Sequence, residues 1–461
     1  MKTNFNEQNL ELTVIKNLKE NGLPIVRRME FRNADLAAYT LNEKGDLVPE
    51  VVVEIKKEPS KEAQMQLMRS AESLQTPYAL LATPDRLIWF ESSTFLPIEP
   101  PVFETKNRYI EDPDQLNQVF KYILDLIREN IYSSKYWLYM LQGLLVRTYL
   151  FEKSSIEQWY ELSQDNYFEL LETVYKHYEI DHYVEKPKMP ERAFQQFIWK
   201  LDEIPPIYSK YNEIILNHME RNGSTGAHMT SPPVKDLFTD IINTLNLNRF
   251  SVLDMGVGYG TIATSLLNSN NNIEKLTAIE KNPSIFGYYK MLNIVSGQNK
   301  SEVVLGDVLS SENNLQEADV VVVDPPLGGF QEKRDDISNF QVATEGRTVS
   351  TLDLFMERAT ELASPGGYVV ALVPESFLFN EKSNFTRSLL KDRMIIESII
   401  SLPPHSLKPY TSVKVSMLIL RKKKHKKETG ENILLANCET IDQFPKAVAG
   451  YKNWKSGGDL E

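Results

Sequence analysis

From about Ser224 onward, short apolar runs alternate with stretches of helical periodicity, and most of the runs end in or just before an acid. The runs are Ser251–Asp254, Lys275–Glu280, Val303–Leu305, Asp319–Asp324 and Tyr368–Val373. Strands separated by segments long enough for a helix call for crossover connections. They predict a mostly parallel, doubly wound α/β sheet whose ligands sit at the C-terminal ends of its strands.

The first run leads into Asp254-Met-Gly-Val-Gly-Tyr-Gly260 and then an apolar helix, Ile262–Leu267. Gly256, Gly258 and Gly260 let the backbone turn tightly and approach a ligand closely. A glycine loop alone is also compatible with a dinucleotide fold, so the acids that follow have to discriminate. Glu280 ends the next run, where a carboxylate can accept hydrogen bonds from both ribose hydroxyls. Asp307, in Gly306-Asp-Val308, ends the third, where it could accept from an adenine exocyclic amine. Each acid singly could be a strand-end cap. Three in register would repel a diphosphate but suit the cationic sulfonium of S-adenosylmethionine. The fourth run delivers Asp324-Pro-Pro-Leu327, a rigid cluster of acceptors with no proline N–H to interrupt it. Two acceptors aimed at an amine's hydrogens would orient its lone pair toward the methyl group, which makes this an amino-methylation site.

Residues from about His228 to Lys422 resemble the amino-methylating DNA methyltransferases, specifically the modification subunits of type I restriction-modification systems. Thr230-Ser-Pro-Pro233 looks like that family's motif for the donor's methionine end, and Asp254–Gly260 like its donor loop, with Glu280 and Asp307 at its ribose and adenine positions. Asp324–Pro326 looks like its catalytic tetrapeptide. Leu354–Ala359, Ser364–Tyr368, Val373–Phe379, Ile399–Pro404 and Lys408–Ser416 match its second half. The resemblance implies a Rossmann-like class I S-adenosylmethionine-dependent methyltransferase domain acting on adenine N6 in double-stranded DNA. Its catalytic positions would be Asp324, Pro325, Pro326 and Leu327, and its donor-binding positions Thr230, Asp254, Gly256, Gly258, Gly260, Glu280 and Asp307. Leu327 departs from the pattern, because the family places there an aromatic ring that stacks on the flipped base, an interaction worth about 1–3 kcal/mol. Phe330 is a candidate replacement. Asp324 stands where Asn is usual, and Ser231 where Pro is usual. Leu327 keeps open a second reading, a regulatory subunit that binds donor and DNA without transferring methyl. Methylation of protein glutamine or RNA shares the tetrapeptide chemistry, but the closing Lys408–Ser416 stretch argues against it.

The first region, to about Thr105, reads as a helix (Leu10–Asn21) followed by short strands, Val51–Lys56, Ala79–Ala82 and Arg86–Phe90, and ends in Leu96-Pro-Ile-Glu-Pro-Pro101. Strand alternation points Glu54 and Lys56 to one face. With Asp35 they could hold a divalent metal and polarise a water. With Gln66 on the next helix, residues Leu10 to Glu91 resemble the nuclease domain of type I restriction subunits, a PD-(D/E)xK member. The resemblance implies Mg2+ held by Asp35 and Glu54, with Lys56 and Gln66 completing the site. An inactive, nuclease-like docking domain is the alternative.

The expected organisation is a small restriction-endonuclease-like α/β domain (1–105), a helical domain (106–222), the methyltransferase domain (223–427) and a tail (428–461), together a fused restriction-and-modification enzyme. In the helical region Val119, Tyr122, Ile123 and Ile127 recur at helical spacing. Tyrosines 136, 139, 149, 160, 167, 175, 178 and 183 there are expected in core and rim rather than on a partner surface. A content of 42% hydrophobic and 25% charged residues indicates a folded chain. The single cysteine, Cys438, rules out an intrachain disulfide and a multi-cysteine zinc site. A net charge of −12 means that any DNA contact must come from a local patch or from another subunit. Arg421–Lys427 is the candidate patch, with a solvated strand end as its bland alternative. The N-terminus lacks a secretory apolar core and no run reaches the ~18 apolar residues of a membrane span, so a cytoplasmic location is expected. The tail is too short for a target-recognition domain. A separate DNA-specificity subunit is therefore the expected partner, with association of two copies in the complex left open. With no Gly-Lys-Ser/Thr phosphate loop, any translocation motor would also be separate.

Overall fold

The computed structural model describes residues 7–29, 34–42, 46–103, 108–131, 136–180, 187–221, 229–310, 314–327, 339–343, 349–430 and 432–457. It divides into two compact units, residues 1–174 with 185–206, and residues 175–184 with 207–461. The expected boundaries at 105/106 and 222/223 differ from this division, and Phe330 and Tyr183 lie outside the described residues.

The first part of the chain holds α1 (Glu7–Glu20), β1 (Ile25–Arg28), β2 (Leu36–Leu41), β3 (Leu47–Ile55), α2 (Lys61–Leu74), β4 (Tyr78–Ala82), β5 (Leu87–Glu91) and β6 (Pro97–Ile98), then α3 (Pro113–Asn130), α4 (Tyr136–Glu152), α5 (Gln164–His177) and α6 (Glu191–Asp202). The six strands form one sheet in sequential order. Only β3 and β4 are parallel, joined through α2, and all other neighbours are antiparallel. β3 is covered on both faces: Val51, Val53 and Ile55 pack with Val14, Ile15 and Leu18 of α1, and Val52 with Ala63, Leu67 and Ala71 of α2. The period of two in β3 thus meets two helices, each with its own apolar stripe.

The α/β region and the helices belong to one unit because their buried charges interlock. Asp202, at the end of α6, accepts from Lys19 of α1 and from Tyr160 Oη (2.9 Å). The fully buried Arg147 of α4 lies 3.6 Å from it and donates to the carbonyls of Ile204 and Asp202. Burial alone would raise the Asp202 pKa, but Lys19 and Arg147 overcome it and hold the carboxyl below its ordinary value. Gly143 lets α6 close on α4, since a Cβ there would lie 2.4 Å from the Phe197 ring and 2.6 Å from Leu201. Tyr139, Tyr167 and Tyr175 are buried, as the core reading expects.

The second unit contains α7 (Tyr211–Arg221), α8 (Pro232–Thr244), β7 (Phe250–Asp254), α9 (Thr261–Ser269), β8 (Ile273–Glu280), α10 (Pro283–Val295), β9 (Ser301–Leu305), β10 (Ala318–Val323), α11 (Thr351–Leu362), β11 (Ala363–Pro374), α12 (Asn384–Arg393), β12 (Met394–Ser401), β13 (Val415–Lys422), β14 (Leu434–Asn437) and α13 (Phe444–Lys455). Its sheet runs β14-β12-β13-β11-β10-β7-β8-β9. All pairings are parallel except those of β13, which is antiparallel to β11 and β12. Strand order reverses between β7 and β10, so their connections leave in opposite directions and open a crevice at their C-terminal ends. The segment expected as a tail is structural instead. β14 extends the sheet beside β12, and Tyr451 of α13 donates to Glu397 of β12 (2.7 Å). Cys438 is buried, in keeping with a small apolar role.

Removing one partner of a buried ion pair costs about 3–5 kcal/mol, because the other charge is left uncompensated. Asp202→Ala is expected to destabilise the first unit by about that much. The check is chemical denaturation followed by tryptophan fluorescence, and an unchanged midpoint would remove Asp202 from its central place.

Candidate active site at the sheet's switch point

Asp254 ends β7, and the chain then folds back over the edge of the sheet. Met255 N donates to Val322 O and Val257 N to Ile279 O, both at 3.1 Å, which clamps the glycine loop between its neighbouring strands. Gly258 and Gly260 have φ of +56° and +86°, where a side chain is disfavoured. A Cβ on Gly260 would also fall 2.1 Å from the Tyr289 ring. A Cβ on Gly256 would meet nothing within 4 Å. That glycine borders open space, as a ligand cradle requires.

The acids are held by backbone donors. Glu280 accepts from Gly258 N (3.1 Å) through Oε2 and from Asn282 N (2.8 Å) through Oε1. Asp307 accepts from Leu309 N (3.0 Å), and Asp254 from Gly256 N at 3.3 Å. Asp324 follows β10, and its Oδ2 accepts from Thr230 Oγ1 at 2.6 Å. Thr230 N in turn faces Thr261 Oγ1 at 3.4 Å, and Ser231 Oγ donates to Ser406 O at 2.6 Å. The structure therefore brings Thr230, Asp254, Gly256, Gly258, Gly260, Glu280, Asp307 and Asp324–Leu327 to one end of one sheet. Sequence reasoning missed Thr261 and Ser406. Their partners are far away in the chain, so no local pattern marks them.

Burial raises the Asp254 pKa to about 7, with the Gly256 N–H opposing and the charges of Asp324 and Glu280 adding to the rise. Burial likewise raises Asp324 to about 6, and the Thr230 hydroxyl partly offsets it. A cluster of anions this costly to ionise favours a cationic ligand. The donor set fits S-adenosylmethionine, whose sulfonium carries a positive charge.

The basic run does not serve this site. β13 is antiparallel to β11 and pairs Val415 with Pro374 at the site end but Arg421 with Tyr368 towards the other end. Arg421 is engaged by Glu397 (3.0 Å) and Glu428 (2.9 Å), and Lys422 by the carbonyls of Glu361 and Ala363. Of the run Arg421–Lys427, Arg421 and Lys422 are therefore held within the fold, towards the end of the sheet away from Asp324.

In the first unit, Glu54 lies at the end of β3 with no solvent exposure. Its carboxylate sits 2.5 Å from Lys56 Nζ, and Asp35 Oδ2 accepts from Ile55 N at 2.6 Å. Gln66 is on the flank of α2, the helix covering that face. Glu54 is buried against Lys56, whereas Asp35 and Lys56 are themselves partly exposed. Among the described residues no group of three or more His, Cys, Asp or Glu could hold a metal. Mg2+ keeps several of its waters and is held by only one or two carboxylates; Glu54 is engaged by Lys56 in this structure, and no step is derived through an ion.

The sequence model of a family described as N-6 DNA Methylase matches residues 206–448. The Escherichia coli EcoEI type I restriction enzyme methylase subunit is 32% identical over 115 residues, 24% of this chain and 23% of that subunit, so the match spans about a quarter of the relative's length. A Listeria monocytogenes protein assigned as a class I S-adenosylmethionine-dependent methyltransferase superposes with a TM-score of 0.52 at 18% identity, covering 70% of this chain and 99% of its own. The methyltransferase subunit of a Streptococcus thermophilus type I restriction-modification system gives 0.52 at 15% identity, covering 76% and 94%. These likenesses establish the α/β fold of class I methyltransferases. No helix among the described residues is long and apolar enough to cross a membrane.

An aspartate whose pKa is higher folded than unfolded costs stability once the unfolded chain ionises. For Asp254 that loss begins near pH 4 and is complete above about 7. Asp254→Asn is therefore expected to raise the melting temperature of the donor-free protein at pH 8, by up to a few kcal/mol in free energy, and to leave it unchanged below pH 4. Added S-adenosylmethionine should stabilise the parent more than the variant. Thermal scans across pH check this, and a gain that persists at pH 4 would refute it.

Proposed function

From the premise that this chain belongs to the N-6 DNA methylase family, we propose that it methylates adenine N6 in double-stranded DNA as the modification subunit of a restriction-modification system. The observation that carries this reading is Asp324, fixed by Thr230 at the end of β10 and followed by Pro325 and Pro326. The remaining carboxylate oxygen and the Pro325 carbonyl form an acceptor pair for the two hydrogens of an exocyclic amine. Holding them turns the nitrogen lone pair out of conjugation with the ring and toward the Asp254 side of the crevice. S-adenosylmethionine, when bound, supplies an electrophilic methyl on a cationic sulfur. Glu280 and Asp307 would hold its adenosine, and the glycine loop its amino-acid end. Asp324 stabilises the positive charge that develops on the attacked nitrogen, and a base lifted out of the duplex is the form that could reach it.

The net charge of −12 supports a partner subunit that contributes DNA contacts. In the native host, Asp324→Ala is expected to abolish the N6-methyladenine marks of one sequence motif, read by single-molecule sequencing. Marks unchanged in the variant would favour the non-catalytic, donor-binding reading that Leu327 keeps open.

In the first unit Glu54 is engaged by Lys56. With supercoiled plasmid and Mg2+, the purified protein is expected to nick no faster than its Glu54→Gln variant. Nicking that this substitution removes would restore the endonuclease assignment of Asp35, Glu54, Lys56 and Gln66.

A further inference from the structure

The tetrapeptide ends in Leu327, an aliphatic side chain where a flipped base needs a flat partner. The neighbouring strand supplies an unused one. After Pro374, β11 runs into a single turn, Glu375–Leu378, and then presents Phe379. Phe379 is 72% exposed, more than any other described phenylalanine. A single exposed apolar side chain is ordinary on a protein surface, but this one stands on a fixed backbone. Arg387 Nη1 donates to the carbonyls of Phe377 (2.8 Å) and Asn380 (2.7 Å) on either side of it. Phe379 N and Asn380 N both donate to Ser376 O, and Phe377 is buried.

The same turn is tied to the rim of the site. Glu375 N donates to Lys414 O at 2.9 Å. The Glu375 carboxylate pairs with Lys414 (2.9 Å) and accepts from Ser401 (2.9 Å). The loop between β12 and β13, which Lys414 closes, provides the Ser406 carbonyl that Ser231 grips, next to the threonine that holds Asp324. β10 and β11 are adjacent and parallel, with Val323 opposite Ala371, so Asp324 and the Phe379 turn emerge from the same end of the sheet. Among the described residues no ring or cation contact uses the ring, although the fold fixes the backbone that carries it.

We propose that Phe379 is the base-stacking residue of this enzyme, taking the role that an aromatic at position 327 would otherwise fill. The inference rests on the adenine-methylation reading and adds the residue that holds the target base. A pre-positioned ring loses little entropy on stacking, and any base can use its face.

Three variants test this in the native host under limiting expression, with the N6-methyladenine fraction read by single-molecule sequencing: Phe379→Ala, Phe379→Leu and Phe379→Tyr. Loss of a base–aromatic stack is expected to lower methylation about tenfold to a hundredfold in the first two, with Leu no better than Ala, whereas Tyr retains it. Binding of S-adenosylmethionine to the purified chain, measured by calorimetry, should stay within about twofold in all three. Methylation by Phe379→Ala or Phe379→Leu at the parental level overturns the inference and leaves the methylase reading standing. So does a loss of donor affinity parallel to the loss of methylation, which would mark a structural role. If the parent itself leaves no mark that Asp324→Ala removes, the methylase reading fails and the inference falls with it.

Discussion

Four carboxylates, Asp254, Glu280, Asp307 and Asp324, gather at the ends of four neighbouring strands, two of them raised by burial to pKa values of about 7 and 6. Keeping so much negative charge in a partly dry crevice is unfavourable, and the surrounding architecture is arranged to tolerate it. Backbone N–H groups of Gly256, Gly258, Asn282 and Leu309 point at the acids, and glycine at 258 and 260 permits the left-handed turns that aim the loop. The reversal of strand order between β7 and β10 opens the space in which a cation can complete the balance. The site is thus built at a cost to the empty protein that a positively charged ligand recovers.

The first unit solves a related problem differently. Asp202 is as deeply buried as Asp254, yet it stays below its ordinary pKa because Lys19 and Arg147 are buried with it. Its charges are matched within the protein, and they join the N-terminal sheet to the helices. Glu54 is also engaged by a lysine, but Lys56 is partly exposed, unlike Lys19 and Arg147.

Much of the crevice was legible in the sequence, because each acid closes a strand-like run and parallel strands in a doubly wound sheet share one functional edge. Strands β7, β8, β10 and β11 lie where apolar runs announce them, and the glycine loop where it must. The basic run Arg421–Lys427 marks the limit of that legibility. A run of like charges carries no sign of which end of a sheet it occupies, and only the reversed direction of β13 puts it away from Asp324. The division expected at residue 105 shows another limit. A proline-rich joint looks like a linker, but Lys19 and Asp202, far apart in sequence, meet in one buried cluster.

What the sequence alone determined is the local chemistry: which residues are acids, where the backbone needs glycine, and the periods that make helices and strands. Those depend on neighbours a few positions apart, and such interactions are written in the order of residues. Tertiary structure alone decided which polar groups are matched and which are left facing a cavity. Thr230 holds Asp324, Lys56 closes Glu54, and Phe379 stands clear beside the crevice because of contacts between segments remote in the chain. Pairing at such separations is set by the packing of the whole core and has no local signature.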